Sequence, residues 1–383
     1  MAKLDELIQE LCPNGVEYKT LDKCCNILDK QRKPISKGAR IAGEYPYYGA
    51  NGIQDYVDSY IFDGTFVLVG EDGSVLTEKG NPVVNWAVGK IWVNNHAHII
   101  SEKEGTLLRY LYHYLQIIDI TSLVHGNIPK LTQGDFKELL IPVPPLEVQC
   151  EIVRILDNFT ELTAELTAEL TARKKQYEYY RNTLFMFDEN NNKVKRMTLG
   201  DIGKVSMCKR ILKAETSPNG EVPFYKIGTF GKEPDAYITY DKYAEYKSKF
   251  SYPKKGDILI SASGTIGRTV VYNGEPAYYQ DSNIVWLAHN ESVVLNKYLY
   301  YYYQLQPWNV STGGTIARLY NDNIAKAKIC VPPLEEQERI VSILDRFDAL
   351  CNDISIGLPA EIEARQKQYE YYRDKLLTFR EVS

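Results

Sequence analysis

The heptapeptide KQYEYYR stands at residues 175–181 and again, unchanged, at 367–373. It is one word of a longer series. IVRILDNF (152–159) returns as IVSILDRF (340–347), PVPPLEVQ (142–149) as CVPPLEEQ (330–337), and RYLYHYLQ (109–116) as KYLYYYYQ (297–304). GNIPKL (126–131) returns as GTIARL (314–319), and YKTLDKC (18–24) is echoed by KRMTLGDIG (195–203). A chain written twice folds as two like units, each able to repeat the contacts of the other. Each copy runs from a divergent part into a closely matched helical part.

The offsets between copies carry length information. From Arg109 to Phe159 the second copy lies 188 residues later, but Tyr177 returns at Tyr369, 192 residues later. The second long helix is therefore expected to be four residues longer than the first, one unit of the tract LTAELTAELTA (162–172). Both helical parts open on a diproline, Pro144-Pro145 and Pro332-Pro333, followed by Glu147 or by Glu335 and Glu336. Proline and acids suit a helix start, where free N–H groups favour negative charge. Apolar residues then recur at three- and four-residue steps: Ile152, Leu156, Phe159, Leu162, Leu166, Leu170 and Tyr177 in one copy, Ile340, Leu344, Phe347, Leu350, Ile354, Leu358 and Tyr369 in the other. A stripe so long and narrow wants a helix beside it.

Glycine-broken runs of β type fill the divergent parts, among them GTFVLVGEDG (64–73), GKIWVNNHAHII (89–100) and GDILISASG (256–264). Each divergent part closes on a short helix rich in Tyr and Leu. The expected fold class is α+β: two globular mixed α/β heads separated by two long antiparallel helices, a tandem repeat with pseudo-twofold symmetry. The boundaries fall at 1–142 for the first head, 143–190 for the central helical spacer, 191–330 for the second head and 331–383 for the C-terminal helical spacer.

The motifs of catalysis are missing. The sequence has no G-x-x-x-x-G-K-[ST], no H-E-x-x-H, no G-x-S-x-G and no [ND]-P-P-[FY]. Its seven cysteines include no C-x-x-C, which favours buried free thiols over disulfides or structural zinc. His96 and His98 alternate in a strand-like run without a carboxylate or cysteine at metal spacing, so no metal site is expected there. No run approaches the ~18 apolar residues of a membrane span, and the acidic start MAKLDELIQEL is unlike a signal peptide. A cytoplasmic, non-enzymatic protein is the expectation. A net charge of −5 excludes a surface coated in positive charge but leaves room for local basic patches.

The duplicated PPLE-x-Q…IV-x-ILD-x-F blocks, the TAEL tract and the two KQYEYYR boxes resemble the specificity subunit of type I restriction–modification enzymes, in particular the subgroup with TAEL repeats in the central helix. The likeness covers the whole chain in order. It implies that each head is a target recognition domain reading one half of a split, asymmetric site in double-stranded DNA. It also implies that the helices set the unread gap. They would dock two methyltransferase (modification) subunits and the restriction/translocase subunits. S-adenosylmethionine, ATP and Mg2+ would sit on those partners, with no cofactor on this chain. The alternative is a coiled-coil adaptor without DNA recognition.

Candidate DNA contacts lie at matched points of both heads. KQRKPISKGAR (30–40) offers Lys30, Arg32, Lys33 and Lys37, and CKRILK (208–213) offers Lys209 and Arg210. Basic residues placed so recur where phosphate contact is needed. Lys130 and Arg318 share a repeat position behind Gly126 and Gly314, where glycine lets backbone approach a partner closely. YYGANG (47–52) and FYKIGTF (224–230) add Tyr48, Asn51 and Lys226, and SASGTIGR (261–268) adds Ser263 and Arg268. The aromatics of these stretches suit a core as well as a contact. The tyrosine boxes are expected to pack helices together or to seat a partner subunit.

Overall fold

The structure, a computed structural model, describes residues 2–73, 75–310 and 318–382. It divides into two units, Met1–Thr167 with Glu361–Ser383, and Ala168–Ala360. Each unit thus combines the head of one copy with helical segments from both.

In the first unit a six-stranded sheet is ordered 25–27, 97–102, 62–70, 84–93, 42–49, 52–57. Its central strand Phe62–Gly70 carries the apolar run Phe66–Val69, buried throughout, and alternation sends successive side chains to opposite faces. Val67 and Val69 join a core with the Tyr/Leu-rich helix Leu108–Leu115, while Phe66 and Leu68 join a second core with Ile91 and Ile99. The second unit repeats the principle on an antiparallel four-stranded sheet ordered 204–207, 284–288, 258–261, 269–271. Ile258 and Ile260 face the helix Asn296–Tyr303, and Leu259 faces a core of Tyr278, Tyr279 and Trp286.

The matched words of the sequence become matched contacts. Tyr110 donates its hydroxyl to the Pro142 carbonyl (2.9 Å), and Tyr298 donates to the Cys330 carbonyl (2.7 Å). Gln149 and Gln337, the last letters of the PPLE-x-Q blocks, are fully buried. Gln149 accepts from the Leu107 N–H (2.9 Å) and donates to the carbonyls of Pro144 (2.7 Å) and Gly105 (3.2 Å). Gln337 accepts from the Leu295 N–H (2.9 Å) and donates to Pro332 (2.8 Å) and Val293 (2.9 Å). Each glutamine pins a helix start to the loop ahead of the Tyr/Leu-rich helix.

The central helix runs unbroken over Leu146–Leu184, 39 residues, or about 58 Å. In the first unit Phe159 stacks on Tyr372 (5.4 Å between centroids), and Tyr369 meets His113 (3.1 Å) and Gln116 (3.4 Å). In the second unit Tyr177 reaches Gln304 (3.4 Å), and Tyr180 stacks on Phe347 (5.4 Å). Tyr177 and Tyr369 therefore pack as structural residues, whereas Tyr179 and Tyr371 stay exposed.

The expectation of a longer second helix is corrected. The second copy breaks into Leu334–Asn352 and Leu358–Leu376. At the break the Asp353 carboxylate accepts the N–H groups of Ser355 (2.7 Å) and Ile356 (3.2 Å), offering the backbone an alternative to the helix. Gly357 follows where an added Cβ would lie 2.5 Å from the Ala349 carbonyl oxygen, and Pro359 sits in the first turn of the next helix, where its missing N–H costs nothing. Ile354, assigned to the apolar stripe by its spacing, is 81% exposed in this break. Of the cysteines, Cys12, Cys24, Cys25, Cys208 and Cys351 are buried free thiols, but Cys150 is exposed.

Glu151, on the central helix, is buried and ion-paired. Hydrogen bonds from Arg154 (2.6 and 3.0 Å), ahead of the opposing effect of burial and the further bond from Lys3 (3.2 Å), hold its carboxyl down to about 2. A carboxyl depressed in the folded state contributes stability above its unfolded value, and that contribution is lost as pH falls through the folded one. Glu151→Gln is therefore expected to lower stability at neutral pH and to flatten the loss between about 4.5 and about 2, as read from urea midpoints across that range.

Candidate nucleic-acid interface

In the second unit three of the basic residues singled out from the sequence converge on one cleft. Strand Lys204–Met207 leads into Cys208 and Ile211, both buried, so Lys209 and Arg210 between them turn outward. Burial pushes the Cys208 thiol up to about 12, which leaves it an inert anchor. The Tyr278 hydroxyl fastens the Lys209 carbonyl (2.9 Å), and the Lys209 ammonium lies 5.3 Å from the Phe250 ring. Arg210 is 73% exposed with Asp281 3.8 Å away, a pairing worth little in water.

Lys226 follows strand Val222–Tyr225 and pairs with Asp235 (2.8 Å). Arg318 donates to the Ser282 hydroxyl (2.7 Å) and carbonyl (3.2 Å), while Leu319 behind it bonds the Ala262 carbonyl (2.9 Å). Arg210, Lys213, Lys226 and Arg318 line a cleft of about 670 Å³. Four cations face two carboxylates there, Asp235 and Asp281, so the wall is net positive. Gln280, Ser282 and Asn283 add amide and hydroxyl groups of the kind that meet base edges. Ser263 is joined to this wall through Asn283 (2.9 Å). Arg268 is not: its guanidinium donates to the Phe230 carbonyl (2.9 Å) and is absent from the lining. Gly314 lies outside the described residues.

The first unit places its candidates differently. Lys30, Lys33 and Lys37 are exposed on a segment held to the sheet by the Trp92 indole N–H on the Lys33 carbonyl (2.6 Å) and the Tyr47 hydroxyl on the Ile35 N–H (3.0 Å). Asn51 is exposed at the tip of the hairpin 42–57. Gly126, at φ +93°, turns the hairpin that pairs Val124 with Leu131 and His125 with Lys130. Two residues depart from the expectation of accessible side chains. Tyr48 is 8% exposed and belongs to the core of Phe62 and Ile91. Arg32 turns inward to Glu71 (2.6 Å), Asp29 (3.4 Å) and the Ala97 carbonyl (2.6 Å).

That inward turn exposes a cluster that sequence spacing did not disclose. Asp29 and Glu71 are buried beside His98, with one ligand-type atom of each within 4.8 Å of the others. The carboxylates reach His98 only through the fold, and Arg32 reaches both of them. Burial raises the Asp29 carboxyl, but the hydrogen bond and charge of His98, the Ile99 N–H and Arg32 outweigh it and hold the group below the usual carboxylate range.

A family model for the type I restriction modification DNA specificity domain matches residues 13–173 and again 191–364. The chain belongs to that family. A putative type I restriction enzyme specificity subunit of Haemophilus influenzae is 56% identical over 373 residues, 95% of this chain and 96% of that protein. The EcoR124I/EcoR124II specificity subunit of Escherichia coli is 36% identical over 72% of this chain and 71% of its own length. The crystal structure of a type I restriction–modification S subunit from M. genitalium covers 95% of this chain and 96% of its own, with a TM-score of 0.59 at 17% identity, a likeness of fold. The chain is thus a tandem repeat of two specificity domains, a DNA-reading subunit of a type I system, and the adaptor reading is not favoured. No described helix is long and apolar enough to cross a membrane.

Proposed function

We propose that each head reads one half of a split, asymmetric double-stranded site, and that the chain itself is non-catalytic. The helices set the unread gap and dock two methyltransferase subunits, with restriction/translocase subunits joining them. S-adenosylmethionine, ATP and Mg2+ belong to those partners. The observation that carries this reading is the net-positive cleft of the second unit, where Arg210, Lys226 and Arg318 meet amide and hydroxyl groups. Cations there engage phosphate and set the register on the duplex, while the polar wall discriminates bases. Arg318 is the best candidate for a base edge. Two oxygens of Ser282 hold it, so it meets DNA with little loss of side-chain freedom.

The test is co-expression with a matching type I methyltransferase subunit, purification of the complex, and long-read mapping of N6-methyladenine. One split motif methylated on both strands is expected. Arg318→Gln should relax one half of that motif, at a cost of about 1–3 kcal/mol at the affected base pair, and leave the other half intact. An assembled complex that methylates no defined motif would overturn the reading.

A further inference from the structure

We propose that Glu71, with the buried cluster around it, is the positioning residue that fixes the DNA-facing hairpin Val124–Leu131 of the first head and so aims Lys130. The inference rests on the reading of DNA by that head. Lys130 is half exposed, and its ammonium lies 3.3 Å from Glu71 Oε1. The other oxygen of Glu71 is taken by Arg32 at 2.6 Å. Arg32 in turn is held by Asp29 and by the Ala97 carbonyl (2.6 Å), and Asp29 by His98 Nδ1 (2.7 Å), the Ile99 N–H (3.0 Å) and Gln133 (3.0 Å). A carboxylate gripped in this way cannot follow Lys130 if Lys130 moves. The lysine is therefore placed by the head's interior, not by its own flexible stem.

The same cluster also grips the hairpin backbone. The Glu71 carbonyl accepts the Leu131 N–H (2.8 Å), and the Gly73 N–H donates to the Pro129 carbonyl (3.0 Å). His98 Nε2 meets the Leu131 carbonyl (3.0 Å), and the His98 ring stacks on Phe136 (4.2 Å, 6°). Both backbone groups of Leu131 are thus tied to groups beneath it, while Gly126 and Ile128 at the tip stay exposed. Charges this deep are costly unless every one is paired, and here Arg32 pairs with both Asp29 and Glu71. The second head solves the same problem with neutral groups, since Arg318, at the repeat position of Lys130, is held by Ser282. The two heads are alike in fold and unlike in how they aim the matched cation. Base readout tolerates misplacement of only about half an ångström, so loosening Glu71 acts on discrimination in one head alone.

The experiment compares methylation motifs of the assembled complex carrying Glu71→Gln, Lys130→Gln or Arg318→Gln. The half-site relaxed by Arg318→Gln belongs to the second head. Glu71→Gln and Lys130→Gln are expected to broaden the same base positions in the opposite half, raising methylation of mismatched sites there about tenfold. Lys130→Gln alters a half-exposed side chain, so it decides the matter should Glu71→Gln fail to assemble. An unchanged first half-site in either assembled variant overturns the proposal. So does an equal loss across both halves, which marks a merely structural role. A wild-type complex without any motif instead overturns the DNA-reading proposal beneath it.

Discussion

Removing residues 167–170 from the central helix is expected to abolish methylation at the original spacing and create it at a gap shorter by one or two base pairs, with both half-sites unchanged. Four helical residues account for about 6 Å of rise and roughly 40° of rotation beyond a full turn. DNA rises roughly 3.4 Å per base pair. The tract is locally self-sufficient: Thr163 bonds the Phe159 carbonyl and Thr167 the Thr163 carbonyl, both at 2.8 Å, so each repeat satisfies itself within the helix. Leu162 is on the exposed side and Leu166 and Leu170 are only half-buried, so excision removes little core. Motif mapping of the deleted protein in complex with its methyltransferase reads the gap directly. An unchanged gap with an assembled complex would mean that the central helix does not set it.

The second large effect concerns stability. Gln149→Leu removes three hydrogen bonds made by a fully buried side chain and leaves the Leu107 N–H and the buried Pro144 carbonyl without it. Unsatisfied buried groups cost more than the bonds are worth when made. A loss of about 3 kcal/mol follows, or a fall of about 6–12 °C in Tm for a unit of this size, measured by thermal unfolding. Gln337→Leu is expected to match it in the second unit. Should either leucine variant unfold at the wild-type temperature, the glutamine latch contributes nothing net.

The repeat made the architecture readable because repeated words must make repeated contacts. Tyr110 and Tyr298, Gln149 and Gln337, Tyr177 and Tyr369 all show it. The break at 353–357 was legible too, in Asp353, Gly357 and Pro359, but apolar spacing through Leu350, Ile354 and Leu358 imitates an unbroken stripe. Periodicity reports faces, whereas turn chemistry reports ends, and here the second outranks the first. Basic residues were found by type and position, but not their pairing. Nothing local distinguishes Arg32, which Glu71 draws inward, from Lys33 beside it, which stays exposed. Tyr48 suits a core as well as a contact by sequence, and only the strand pairing at Ile53 sets it in the core. The convergence of Arg210, Lys226 and Arg318 depends on strand order, which no short window of sequence contains.

The chain passes between its two units twice, once through an unbroken helix and once soon after a helix has stopped and restarted. A slipped repeat in the gene, a whole number of codons long, changes the length of the unbroken helix and leaves the reading frame intact. Under the proposed function, such a subunit acquires a new site specificity in a single heritable step, without altering any residue that reads a base.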